Sequence, residues 1–446
     1  MIRIPYEVSR ATDILVGPRE EVSNTPAPVF DAVRVSFLAD LSRTLLAHPA
    51  SRSFPDVVNF AYWCRRSNLT QLANSFAVRD EICMGLGLSF HICPSNVPVN
   101  FAFSLAFGLL EDNTCVLRLP SRASETADVL IEAIASLLQQ EQHAPLADSI
   151  LLTRFDCNDD LNRFWMSVAD VRLVWGGDQT VQHMRALPCR PRSREVAFSD
   201  RYSLCAIAPH AVLSLDESGM RTLCNHLFND LYLMDQAACS SPQLVAWVGD
   251  RQEIASAKAW LWPALAEFAA VRYAPRAVHV MDKYVQACRR ALDSEQVVAV
   301  RQHGNTLYRV ELSDVVPDQD ERRAYFGTVH EVSLASLEQL APINEHYQTL
   351  IAPIVNEHYQ TLTYFGIDKA GLQNFVVSQR LRGIDRIVPV GARWICRPCG
   401  MATTSSQACR ASSRFSDTGK YQRNRWTSSV SIAWSFRRTS RTATRF

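Results

Sequence analysis

The sequence predicts an α/β fold built on mainly parallel sheets. Short apolar strands recur along the chain, as "GLGLSFHICPSN", "TCVLRLP", "SILLTRF" and "VRLVWGG". Helical stretches such as "VNFAFSLAFGLL" and "SETADVLIEAIASLLQQ" lie between them. The 446 residues, 47% hydrophobic and 20% charged, suffice for two or three globular domains.

The first eighty residues read as mostly helical, with an amphipathic stretch at "FDAVRVSFLADLSRTLLAH". The next strand ends at Pro94, Ser95 and Asn96, and a buried helix follows it. "EDN" is a turn before the second strand. Ser124 is a candidate N-cap for the following helix, whose first turn is acidic. Asn96, Ser121 and the pair Gly176-Gly177 all fall at strand ends. Ligands bind beyond the carboxyl ends of strands in such sheets.

The net charge of +1 hides a split. Residues 391–446 carry 11 Lys and Arg against one acid, Asp417, while the rest of the chain is mildly acidic. Nothing in that body suggests nucleic-acid binding. No apolar run reaches the length of a membrane helix. "MIRIPYEVSR" has no signal-peptide core, and thirteen irregularly spaced cysteines suit reduced thiols, so a cytoplasmic protein is expected. Cys396-x-x-Cys399 with Cys409 lacks a fourth ligand at sensible spacing, so no metal is expected. "APINEHYQTL" (341–350) is nearly repeated by "APIVNEHYQTL" (352–362). Two copies make no repeat array; a local duplication that loops out or extends a helix is expected.

Cys239 stands among small residues in "DQAACSSPQ". From the residues alone it is a buried core thiol or a nucleophile. Several segments bear on the choice: "HICPSNVPVNFAFSLAFGLLEDNTCVLRLPS", "VRLVWGGDQT", "PRSREVAFSDRYS", "FNDLYLMDQAACSSPQLVAWVG" and "GIDRIVPVG". Together, and in family order over roughly residues 80–390, they resemble the LuxC-type acyl-CoA reductases, a branch of the aldehyde dehydrogenase superfamily. "YFGTVHEVSLASLEQL" is similar to the superfamily's "FGPV" segment beside the nicotinamide site.

The resemblance implies an aldehyde dehydrogenase-like fold: a Rossmann-like cofactor domain plus an α/β catalytic domain. The expected limits are 1–205 for the N-terminal helices and nucleotide-binding domain, 206–345 for the catalytic domain, and 346–391 for a C-terminal segment. It places the catalytic cysteine at Cys239 and an oxyanion-stabilising amide at Asn96. Arg118 and Ser121 stand where the superfamily has a ribose-binding Lys and often a Glu. A Ser there does not repel a 2′-phosphate and Arg118 can pair with one, which favours NADPH. Gly176 and Gly177 match the turn where backbone approaches the cofactor pyrophosphate.

Hydrolytic members carry a Glu base in "ELGG"; the corresponding "EVAFSDRYS" offers Ala197 or Phe198. The Glu before "FGP" is replaced near Ala324, and no histidine is assigned as a base, His91 reading as a core residue. The implied activity is NADPH-dependent reduction of a long-chain fatty acyl thioester, acyl-CoA or acyl-protein, to the aldehyde. An acyl-protein synthetase partner and a homo-oligomer are implied too. The alternatives are an NAD(P)-dependent aldehyde dehydrogenase and a degenerate, non-catalytic subunit.

After "GIDRIVPVG" the chain turns Ser-, Thr- and Arg-rich without periodicity. Read in another frame with permitted codons, "GARWICRPCGMATTSSQACRASSRF" resembles the family's own carboxyl end, with a "WDG" element and a final strand. Residues 392–446 are therefore expected to be a frameshifted, disordered tail lacking a strand that helps subunits pair. Resequencing the gene is expected to show a shift near codon 392; a well-covered, unshifted frame would sink the idea.

Overall fold

The computed structural model describes residues 1–76, 83–314, 322–340, 358–381 and 384–392, with the backbone of 414–415 and 438–439. The first duplicate copy, the C-x-x-C pair and nearly all of the expected tail lie outside these residues. The chain divides into two units between Asp200 and Arg201. A boundary at 205/206 would cut the strand Tyr202–Ile207, so that expectation is corrected.

In the first unit, β1 (Asp13–Val16), β2 (Leu88–Ile92), β3 (Thr114–Leu119), β4 (Ile150–Arg154), β5 (Val171–Gly176) and β6 (Arg194–Ser199) form one sheet. Its order is β1-β4-β3-β2-β5-β6, parallel except for β1. The winding starts at β2, runs outward through β3 and β4, then restarts on the other side with β5. That is the doubly wound order, with its switch point between β2 and β5. Helices α1 (Ala32–Ala47), α2 (Asn100–Leu110), α3 (Glu125–Leu138), α4 (Asp159–Val168) and α5 (Asp178–Ala186) belong to this unit. Leu161, Trp165 and Met166 of α4 and Val181 and Met184 of α5 pack with Phe90, Val116 and Val174 of the sheet. α2 is buried all along its length, as its unbroken apolar run requires. Ser124 does stand at the N-cap of α3, but its side chain makes no capping bond.

The second unit holds β7 (Tyr202–Ile207), β8 (Pro242–Val248), β9 (Val297–His303), β10 (Leu307–Leu312), β11 (Thr328–Leu334), β12 (Tyr359–Phe365), β13 (Arg386–Pro389) and β14 (Arg414–Phe415). Their order is β9-β10-β11-β8-β7-β12-β13-β14, with only the β9–β10 pair antiparallel. β12 and β13 sit in the same sheet as β7 and β8, so residues 358–392 are no separate segment. The second duplicate copy ends in β12, as strand rather than helix or loop.

This sheet is covered on both faces, and the two-residue period shows how. Cys205, Ile207, Val245 and Trp247 enter one core with α6 (Glu217–Leu231) and α7 (Arg251–Ala270). Leu204, Ala206, Leu244 and Ala246 enter the other, with α9 (Lys369–Ser378). Strands buried on both faces must read as continuous apolar runs, and "LVAW" does. α8 (Ala277–Asp293) precedes the β9–β10 hairpin.

Glu331 is a carboxylate within the α7-side core, fully buried on β11. It accepts from Trp247 Nε1 and Trp262 Nε1, both at 3.1 Å, and from Arg309, with Lys258 Nζ at 3.5 Å. Glu331→Ala leaves the nearly buried Arg309 without its carboxylate, whereas Lys258 keeps Glu311 at 3.1 Å. It is expected to lower unfolding free energy by about 3–5 kcal/mol in urea melts.

Candidate active site

At the carboxyl edge of the first sheet, the switch point brings the ends of β2 and β5 side by side. Asn96 lies exposed in the bend after β2, before α2. Gly177 follows β5 and is the N-cap of α5, whose first turn also carries Asp178. The space where a Gly177 Cβ would point is open within 4 Å, so a ligand can approach that backbone. Beside Gly176, by contrast, the Thr180 side chain fills the position at 2.9 Å.

Arg118 and Ser121 are drawn together by one acceptor. Arg118 Nε donates to the Phe155 carbonyl at 3.4 Å and Ser121 Oγ donates to the same oxygen at 3.5 Å. The Arg118 guanidinium also sits 4.9 Å from the centre of the Phe155 ring. The Cys93 N–H donates to the Arg118 carbonyl at 3.0 Å, which ties the start of the Asn96 loop to β3. Asn96, Arg118, Ser121, Gly176 and Gly177 thus share one edge of one sheet. An open glycine backbone at a helix N-terminus and a cation two strands away suit a phosphate-bearing dinucleotide.

Cys239 belongs to the second unit. It is half-buried in the turn before β8, at the amino edge of that sheet rather than its carboxyl edge. The backbone before it is unusual: Met234, Asp235 and Gln236 have φ of 60°, 53° and 63°. Three consecutive left-handed residues without a glycine are costly and persist only where surroundings hold them.

Gln236 supplies that hold. Fully buried, it donates from Nε2 to the carbonyls of Pro242 and Thr328, each at 2.9 Å, and accepts from Gly327 N–H at 3.1 Å. Gln243 completes the brace: its Nε2 donates to the Gln236 carbonyl at 3.2 Å and its Oε1 accepts from Ala324 N–H at 2.6 Å. Ser203 Oγ donates to the Cys239 carbonyl at 2.6 Å and accepts from Thr361 N–H at 3.2 Å. Both ladders of β7 shift register at Ser203.

The segment 324–328 is locked from its other side. Lys283 of α8 is fully buried and donates to the carbonyls of Asn305, Thr306 and Phe326 at 2.7, 3.0 and 2.9 Å. Burial pushes its pKa down to about 7. Phe326 stacks on His279 at 4.1 Å, and its N–H donates to the Asp235 carbonyl at 3.1 Å. Gly327, at φ 78°, admits no Cβ: the Thr306 carbonyl would lie at 2.4 Å.

Other candidates fall away from the chemistry. Cys64, Cys115, Cys205 and Cys224 are buried, and burial raises each thiol pKa, to about 12 for Cys115 and Cys205. His91 is a core residue between Ser104 and Ser89 hydroxyls at 2.7 and 2.8 Å, its pKa pushed down to about 3 by burial. On β6, Ala197 and Phe198 carry no base; Phe198 stacks on Trp175 at 3.9 Å. The acid of that strand, Glu195, is engaged by Arg185 at 2.6 Å and Arg172 at 3.4 Å. Ala324 is buried and contributes its N–H to Gln243.

The fold defines an aldehyde dehydrogenase-like class. The chain aligns with aldehyde dehydrogenase 21 of Physcomitrella patens at TM-score 0.54 and 12% identity, over 81% of this chain and 78% of that one. Proline utilization A of Bradyrhizobium japonicum aligns at TM-score 0.56 and 13% identity, over 82% and 40%. Such identities establish the fold alone. The family model for acyl-CoA reductase (LuxC) matches residues 66–398, and the chain belongs to that family. Its curated relatives include long-chain acyl-protein thioester reductases. That of Aliivibrio fischeri is 27% identical over 167 residues, 37% of this chain and 32% of the relative; that of Photobacterium leiognathi is 26% identical over 171 residues, 38% and 33%. The chain thus spans about a third of the length of these relatives. Among the described residues no helix is long and apolar enough to cross a membrane.

Gln236→Leu removes three buried bonds of the brace. We expect unfolding free energy to fall by roughly 2–4 kcal/mol. The alkylation rate of Cys239, followed by peptide mass spectrometry, should change more than that of the exposed Cys288.

Proposed function

We propose that the chain is an acyl-thioester reductase that works through a Cys239 acyl-enzyme. The observation that carries this is the Cys239 turn. At the position the sequence resemblance implies, a half-buried thiol follows a strained turn held by Gln236, Gln243 and Ser203. That rigidity is what a nucleophile needs and what a filler thiol does not.

Cys239 Sγ, as thiolate, attacks the carbonyl carbon of the acyl thioester. The new C–S bond forms, the carrier's C–S bond breaks, and the carrier thiol leaves with a proton. Asn96 keeps the role implied by the resemblance, an amide donor to the oxyanion. The chemistry a reduced nicotinamide supplies when bound is a hydride to the acyl carbon. The Cys239 C–S bond then breaks, the oxygen becomes the aldehyde carbonyl, and the thiolate is restored. Arg118, Ser121, Gly176 and Gly177 are proposed to hold the dinucleotide. Arg118 together with the absence of an acid at Ser121 favours NADPH.

The apolar pair Ala197 and Phe198, and the ion-paired Glu195, support reduction over hydrolysis, since none can activate water against the thioester. A long-chain acyl group, on CoA or on a synthetase partner protein, is proposed from the relatives. The chain is proposed to act in the cytoplasm as a homo-oligomer.

Incubating the full chain with radiolabelled long-chain acyl-CoA is expected to label Cys239, and NADPH to discharge the label as aldehyde. Cys239→Ala should abolish labelling, and Asn96→Ala should slow it by about 10²–10³-fold. Labelling that persists on folded Cys239→Ala would refute the reading.

A further inference from the structure

Helix α8 is turned inside out relative to an ordinary surface helix, which buries its apolar stripe. Its inward stripe is His279, Lys283 and Ala287. Polar and ring contacts fasten that stripe: Lys283 donates to three carbonyls and His279 stacks on Phe326. The large apolar side chains point outward instead. Val278, Met281, Val285 and Leu292 are 55%, 60%, 38% and 85% exposed, and Cys288 is exposed with them.

These five positions are spaced 3, 4, 3 and 4 residues apart, the a/d repeat of a coiled-coil seam. The seam runs about 21 Å along the helix. Strand β9, which lies against α8 at the edge of the sheet, exposes Val298 and Val300 as well. Single exposed apolar side chains are ordinary, but a continuous stripe rimmed by charge marks an interaction surface.

The charges beside the seam decide what covers it. Asp282 and Arg289, both exposed, stand seven residues apart on one flank, and Tyr284 and Ala291 occupy the other. In a parallel pair of such helices each flank meets the opposite flank, so the two charges face Tyr284 and Ala291. In an antiparallel pair each flank meets itself in reverse. Asp282 of one copy then meets Arg289 of the other, twice over. A surface that complements its own reverse closes into a two-fold dimer.

We infer that α8 is a dimerisation helix, packing antiparallel on α8 of a second copy through Val278, Met281, Val285, Cys288 and Leu292, with an Asp282–Arg289 ion pair on each side of the axis. This rests on the homo-oligomer reading above and names its surface; it does not depend on the chemistry of Cys239. The helix is already held against its own sheet, so pairing has little chain to order. The apolar seam supplies the affinity, and the ion pairs at its rim set the direction of packing.

Sedimentation velocity of the full chain over a concentration series tests this, together with cysteine cross-linking. A reversible dimer is expected. Met281→Asp with Val285→Asp should weaken it at least tenfold with unchanged circular dichroism. Val377→Asp, at an exposed apolar position on α9, should leave it unchanged. Asp282→Arg should weaken pairing, and adding Arg289→Asp should restore it.

The antiparallel two-fold axis passes between Val285 and Gln286. In a Cys288→Ser background, Val285→Cys should therefore form a 285–285 disulfide between copies on oxidation, identified by peptide mass spectrometry. Val278→Cys should not, because its two copies stand about 22 Å apart along the helices, against the roughly 7 Å that a disulfide spans. Cross-linking of Val278→Cys as readily as Val285→Cys marks parallel packing and overturns the inference. An oligomer that the double Asp variant leaves intact overturns this surface while sparing the homo-oligomer reading. A monomer at every concentration overturns both.

Discussion

The buried side-chain amide of Gln236 is the constraint on which the second unit's site depends. One primary amide joins the left-handed turn before Cys239, the start of β8 and the start of β11. Each partner is a main-chain group that would otherwise be an unpaired dipole in a water-excluded place. The turn is thereby held in a backbone conformation that its own residues disfavour. Strain stored there is balanced by bonds to two strands that are themselves pinned between two apolar layers.

The same logic repeats outward. Gln243 satisfies the Gln236 carbonyl and the Ala324 amide, and Lys283 gathers three carbonyls that face the opposite side of the segment. An ammonium has three hydrogens, and here all three are used. Glu331 with its indole, guanidinium and ammonium donors forms another such network.

In the first unit the constraint is topological. Starting the winding at the central strand leaves the ends of β2 and β5 adjacent with no helix crossing between them. The candidate cofactor residues follow from that order. Arg118 and Ser121 are brought together by the Phe155 carbonyl, a group 34 or more residues away in the chain.

The strand–helix alternation, the buried "VNFAFSLAFGLL" helix and the turn at Gly176-Gly177 were legible in the sequence, because apolar periodicity and turn chemistry are local. So was the family, through motifs spread across the chain. Both glutamines of the brace flank Cys239 in the quoted "DQAACSSPQ", yet nothing local distinguishes a bracing glutamine from a solvated one. Lys283 left a faint trace as a cation on the inward stripe His279–Lys283–Ala287 of α8. Tertiary structure alone decided where the domain boundary falls, since a strand is assigned to a sheet by its neighbours. It also put Cys239 at the amino edge of its sheet and fixed the oxygens and amides that hold it. Those contacts join residues up to 158 positions apart, and which distant backbone groups meet a side chain is settled only when the strands pair.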